Sequence, residues 1–245
     1  MKQKRRDVDD LRARRMLSTD VQEIVFEGKP DSWRQMGGRP RHSSGSLQSI
    51  PCMRDGKYPF TVVSRKLDKG PCDVMILGPG FGLDIPPFLE CVRNMLQEKA
   101  GMDRLSVDVL GLTRTIRPQV ERLIRNDLSG TKEEPKAFEL LEDPGLVEAY
   151  DVVLARKSVG VHTMVPSRAL VKVAGMLKPE GVAFVEYDAW TDKPAKSSTG
   201  ESERIVRAFN RFWDGREKVF SIDSSKSSER DKGRDLYWAV IERKR

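Results

Sequence analysis

Between residue 72 and the C-terminus, short apolar runs alternate with segments whose apolar residues recur at helical spacing. Val74–Leu77 is a continuous apolar run, the pattern of a strand buried on both faces. Ile85, Phe88, Leu89, Val92 and Leu96 then share one helical face. Asp84 can cap that helix, Pro86 and Pro87 fit its first turn, and Gly101 can end it. The alternation continues with LSVDVL (105–110), a helical pattern over 117–128, a short run FELL (138–141) and DVVLA (151–155). A helix over 167–177, a KPEG turn, the run VAFVEY (182–187) and a helix marked by Ile205, Phe209, Phe212 and Trp213 follow. Such alternation predicts an α/β fold, a mainly parallel sheet with helices on both faces. VFSI (219–222) and LYWAVIER (236–243) are close enough in sequence to pair antiparallel at its end, for seven strands in all.

The first predicted strand runs into glycines: VMILGPGFG (74–82) places Gly78, Gly80 and Gly82 at alternate positions. In open α/β sheets, ligands bind beyond the carboxyl ends of the strands, where the strand order reverses. A glycine loop there lets a ligand lie against bare backbone. The dinucleotide fingerprint G-x-G-x-x-G would need glycine at 83, which is Leu83. That disfavours a Rossmann dehydrogenase. Gly82 is not followed directly by Lys and Ser or Thr, so the loop is not a phosphate-cradling P-loop either. By itself G-x-G-x-G is a weak signal of a ligand loop, with a structural turn as its rival.

The remainder of the chain bounds its setting. Of 245 residues 33% are charged and 38% apolar, and no stretch approaches the ~20 apolar residues of a membrane helix. The start, MKQKRRDVDDLRARR, carries charge without a following apolar region, unlike a secretory signal, and Asp7, Asp9 and Asp10 argue against a transit peptide. Cys52, Cys72 and Cys91 have no C-x-x-C spacing, so neither a disulfide framework nor a metal site is expected, and the cytoplasm is the expected compartment.

Charge is unevenly placed. Residues 1–70 hold 16 Lys/Arg against 9 Asp/Glu, whereas 71–245 hold 28 of each. The basic surplus suits contact with RNA phosphates through residues 1–70, and equally a solvated leader. That segment contains a weakly helical stretch (5–17), a Gly/Pro/Ser/Arg-rich linker (28–48) and YPFTVV (58–63), which has strand composition. The expected organisation is therefore a basic extension, 1–71, before a compact domain, 72–245.

Taken together, four segments make the domain resemble a class I S-adenosylmethionine-dependent methyltransferase. VMILGPGFG is similar to that family's first motif, and SVDVLG (106–111) to its second strand with an acid near the end. YDVVLARKSVGVHT (150–163) is similar to its fourth strand and following loop, and MLKPEGVAFVEY (176–187) to the turn before strand five. The terminal strand pair matches as well. The resemblance implies a Rossmann-like sheet and S-adenosylmethionine as cofactor. It implies that Gly78, Gly80 and Gly82 abut the methionine part, that Asp108 takes the ribose hydroxyls, and that Asp143 (with Glu139 and Glu142 as rivals) contacts adenine. Ala155 and Arg156, ending strand four, would face the methyl donor.

Two features depart from the family pattern. An acid is usual two residues before the first glycine, where this chain has Ile76, and the interval from Gly78 to Asp108 is long. The loop after strand four lacks an Asn/Asp-Pro-Pro-aromatic motif and a cysteine nucleophile, which argues against amino methyltransferases of that type and pyrimidine C5 enzymes. His162 is the candidate base there, Arg156 and Lys157 suit an anionic substrate, and Trp190 follows strand five. The expected function is methyl transfer to RNA or an RNA-associated protein, with a small hydroxylated metabolite as the other acceptor. A methyltransferase-like binding or assembly factor without activity is the rival, motivated by Ile76.

Overall fold

The computed structural model describes residues 59–79, 82, 85–96, 99–111, 116, 118–129, 144–156, 158, 166–189, 198–231 and 234–245. Seven strands form one sheet: β1 (Cys72–Leu77), β2 (Leu105–Leu110), β3 (Asn126–Asp127), β4 (Tyr150–Ala155), β5 (Leu177–Asp188), β6 (Phe220–Asp231) and β7 (Arg234–Arg243). Their order is β3-β2-β1-β4-β5-β7-β6. The first five are parallel, β7 is antiparallel to β5, and β6 is antiparallel to β7. The expected seven-stranded, mainly parallel sheet with a terminal antiparallel pair is therefore present. The order reverses between β1 and β4, which makes their carboxyl ends the switch point.

The continuous apolar runs are explained by burial on two sides. In β1, Val74 and Ile76 face a core shared with Val63, Leu67, Phe88 and Val92. Met75 and Leu77 face a second core built with Leu170, Val173, Ile205 and Phe209. Helices α1 (Pro59–Leu67) and α2 (Ile85–Met95) thus cover one face, while α4 (Pro166–Gly175) and α5 (Ser198–Trp213) cover the other. Each fully buried Leu, Ile or Phe contributes about 1.5–3 kcal/mol to such cores.

Three local expectations are corrected. YPFTVV is not a strand: Pro59–Leu67 is helix, with Val62, Val63 and Leu67 turned into the first core. Two adjacent valines suit a strand locally, but the spacing of Val63 and Leu67 suits a helical face, and packing decides. Through Val62, Val63 and Leu67, α1 packs in the core on the sheet's first face. The helical pattern over 117–128 yields only the short α3 (Pro118–Glu121), and its end is drawn into the sheet as β3. There the N–H groups of Arg125 and Leu128 donate to the carbonyls of Val107 and Val109 at 2.7 and 2.8 Å. The run FELL (138–141), expected as the third strand, lies outside the described residues. Finally, α2 ends at Met95 and a 3-10 turn occupies Lys99–Arg104, so Gly101 is not its stop.

The KPEG turn sits inside β5 as an irregularity. Leu177 pairs with Tyr150, yet Val182 pairs with Val152, so β5 bulges opposite Asp151. Glu180 takes a positive φ of 63° there. A Cβ on Gly181 would come within 2.8 Å of the Lys178 carbonyl oxygen, so the tight loop needs glycine at that position.

Candidate cofactor and acceptor site

At the switch point, Leu77 stands between Leu110 of β2 and Ala155 of β4. The next residue, Gly78, leaves the strand at φ 64° and donates its N–H to the Leu110 carbonyl at 2.7 Å. A Cβ on Gly78 would lie 2.4 Å from the Cβ of Ser158, so the first loop closes directly onto the loop after β4. Glycine is required at 78 twice over, by its backbone angle and by this approach. Gly82 donates its N–H to the Pro79 carbonyl at 2.9 Å, and Ile85 donates to the Gly82 carbonyl at 3.0 Å. Ile85 begins α2. Gly82 has φ 75°, and a Cβ there would be 3.0 Å from both Ile116 and Val120. Gly80 lies outside the described residues.

Ile76, where the family pattern has an acid, is buried in the first core. Ala155 is buried and Arg156 partly so, immediately past the end of β4. Ser158, two residues on, is 4% exposed, and its Oγ has no hydrogen-bond partner among the described residues. A buried hydroxyl without a partner is costly, which makes it a marker of a group yet to be satisfied. His162, Lys157, Asp143, Glu139, Glu142 and Trp190 all lie outside the described residues, as do residues 1–58 of the basic extension.

Asp108, the expected ribose ligand, is held in a dense set of hydrogen bonds. It lies two residues before the end of β2 and is 2% exposed. One carboxylate oxygen accepts from Arg125 Nε at 2.9 Å and Asn126 Nδ2 at 3.0 Å. The other accepts from Arg125 Nη2 at 2.6 Å and the Tyr150 hydroxyl at 3.0 Å. Four donors thus occupy the four lone-pair sites of the carboxylate. Asp108 ties β2, β3 and β4 together.

The same cluster continues to the start of the sheet. Asp73 accepts from Arg125 Nη1 at 2.8 Å and Lys178 Nζ at 2.6 Å, and Lys178 also reaches Asp151 at 2.9 Å. Burial alone would raise the Asp73 carboxyl, but the hydrogen bond and charge of Lys178, with Arg125, outweigh it and hold the group below its ordinary range. These contacts brace the amino-terminal edge, leaving the carboxyl edge to carry the site.

On the acceptor side, β5 ends in VEYD. Val182 and Phe184 face the first core, so by alternation Glu186 and Asp188 share that face at the strand's carboxyl end. Both are buried, at 0% and 5% exposure. A bulge in β6 between Lys226 and Arg230 accompanies the placement of Ser227, which donates to Glu186 Oε1 at 3.3 Å. Ala155 pairs with Val185, so Glu186 stands level with Arg156 beside the switch point. Ser158, Glu186 and Asp188 are not among the candidates the motifs pick out. The available signal was two acids spaced i, i+2 in an otherwise apolar strand. Among the described residues, no group of three or more His, Cys, Asp or Glu is placed to hold a metal ion. No helix among them is long and apolar enough to cross a membrane.

No protein-family model matches the chain, and no curated protein sequence matches it. Solved structures do. The 1,6-didemethyltoxoflavin-N1-methyltransferase of Burkholderia thailandensis, crystallised with 1,6-didemethyltoxoflavin and S-adenosylhomocysteine, is similar at 14% identity. The match covers 94% of this chain and 92% of that one, with a TM-score of 0.52. The CMeT domain of the citrinin polyketide synthase is similar at 12% identity over 87% of this chain and 60% of that one, with a TM-score of 0.48. At these identities the likeness is one of fold, and the fold is the Rossmann-like fold of class I methyltransferases.

Proposed function

We propose that this chain, which has the class I methyltransferase fold, transfers a methyl group from S-adenosylmethionine to a small acceptor presenting an N–H or O–H group. The observation that carries the reading is the glycine turn at the switch point, in which Gly78 closes onto the loop after β4 within this strand order. The backbone of 78–82 would hold the methionine part of the cofactor, with Ala155 and Arg156 beside the methyl donor. The buried Ser158 hydroxyl fits a polar ligand at that point.

When bound, S-adenosylmethionine supplies a methyl carbon to in-line attack: the acceptor–carbon bond forms as the carbon–sulfur bond breaks, and sulfur keeps the electron pair as a thioether. The protein's task is then to orient the acceptor and receive its proton. Glu186 and Asp188, buried together at the carboxyl end of β5, would suit orienting an N–H or O–H acceptor. The alternative acceptor, RNA, has its support in the basic residues of the N-terminal extension. The likeness to an N1-methyltransferase crystallised with the small molecule 1,6-didemethyltoxoflavin supports a small acceptor.

Titration calorimetry with S-adenosylmethionine and S-adenosylhomocysteine tests the cofactor. Saturable micromolar binding is expected, and no heat at millimolar ligand would remove the proposal. Labelled methyl transfer into a metabolite extract, compared with total RNA, tests the acceptor. Label in RNA alone would restore the nucleic-acid reading, and binding without transfer to either pool would favour a non-catalytic factor.

A further inference from the structure

The Ser158 hydroxyl is buried, lacks a hydrogen-bond partner among the described residues, and belongs to a side chain whose Cβ abuts Gly78. In a folded protein such an atom is rare and costs stability. Alanine at 158 would keep the Cβ that packs on Gly78 and discard only the oxygen. Packing therefore gives no reason for the hydroxyl.

We infer that Ser158 is a ligand-binding residue, with its Oγ hydrogen-bonding the amino-acid end of the cofactor, and that the ligand-free protein is destabilised by keeping it. This deepens the cofactor reading and rests on it. The position supports that end of the molecule, because Ser158 touches the first residue of the glycine turn, the element expected to hold the methionine part. A hydroxyl can donate to the α-carboxylate or accept from the α-ammonium, so it serves either group. The site exchanges fold stability for affinity, as functional sites do when a polar group waits for its ligand.

The test compares wild type with Ser158→Ala and Ser158→Cys in the full chain, by thermal unfolding and calorimetry. The probes are S-adenosylhomocysteine and 5′-methylthioadenosine, which lacks the amino-acid end. Ligand-free Ser158→Ala is expected to melt about 2–4 °C higher than wild type. Its affinity for S-adenosylhomocysteine should fall about tenfold, with that for 5′-methylthioadenosine unchanged. Ser158→Cys, a weak donor, should lie between. A lower melting temperature with unchanged affinity would make the hydroxyl structural and overturn the inference. An equal loss for both probes would overturn it too, by moving the contact away from the amino-acid end. If wild type binds neither probe, the cofactor reading itself fails and this assignment falls with it, an outcome visible without any variant.

Discussion

Arg125 grips Asp108 with two parallel hydrogen bonds, Nε at 2.9 Å and Nη2 at 2.6 Å, on an acid that is 2% exposed. The pair joins residues 17 positions apart and braces β2 against the start of β3. The Arg125 guanidinium is correspondingly held protonated beyond its usual range, first by the hydrogen bond to Asp108.

Asp108→Asn should therefore act on the fold and spare ligand binding. Losing the charge from a buried, four-donor carboxylate is expected to cost about 3 kcal/mol, read by urea denaturation. Affinity for S-adenosylhomocysteine should stay within about twofold once the variant is folded. A variant of normal stability that no longer binds would return Asp108 to the ribose.

Gly78 and Ser158 should be energetically coupled. Gly78→Ala places a Cβ 2.4 Å from that of Ser158 and forces alanine into φ 64°. The expected cost is about 3 kcal/mol or more, from collision and left-handed strain. Adding Ser158→Gly removes the collision but not the strain, so the double mutant should recover about 1–2 kcal/mol. A strictly additive cycle would mean the two loops are not in contact. Gly175→Ala is the control: a Cβ there meets nothing within 4 Å, and stability should hold or rise slightly.

The Asp73–Lys178–Asp151 cluster predicts a stability plateau with two edges. Asp73 is depressed in the folded state, so its contribution is present above its ordinary pKa of about 3.9 and is lost as pH falls through the lower folded value. For Lys178, burial would lower the pKa, but the hydrogen bonds it donates to Asp73 and Asp151 raise it above the ordinary ~10.4. Its contribution is full below that value and is lost as pH rises through the folded one. Melting temperature against pH should thus be flat, for this cluster, between about 4 and 10. Asp73→Asn should lower the plateau by about 1–2 kcal/mol and flatten the acid edge. An unchanged acid edge would show that the cluster is not linked to folding.

Cys72 should be chemically silent in the folded protein. Burial first, then the charge of Asp151, push its thiol up to about 12, while Cys91 is only partly covered. At pH 8 the thiolate fraction at that value is about one in ten thousand. Brief alkylation followed by peptide mass spectrometry should label Cys91 and leave Cys72 intact until denaturant is added. Labelling of native Cys72 would show that the start of β1 opens.

The amino-acid order alone specified the elements that are buried on two sides. Val74–Leu77, LSVDVL, DVVLA and VAFVEY had to be apolar because helices cover both faces of the sheet, and that requirement is written locally. The glycines at 78 and 82 were likewise legible, since a positive φ leaves a residue-type signature. The short β3, the helix at Pro59–Leu67 and the role of Asp108 were not. Each depends on partners brought together only by the strand order: Asn126 beside Asp108, α1 against β1 and β4, Lys178 on Asp73 across 105 residues. Local sequence records what a segment must bury. Which charge meets which carboxylate, and which hydroxyl is left without a partner beside the switch point, is decided only when distant strands lie side by side.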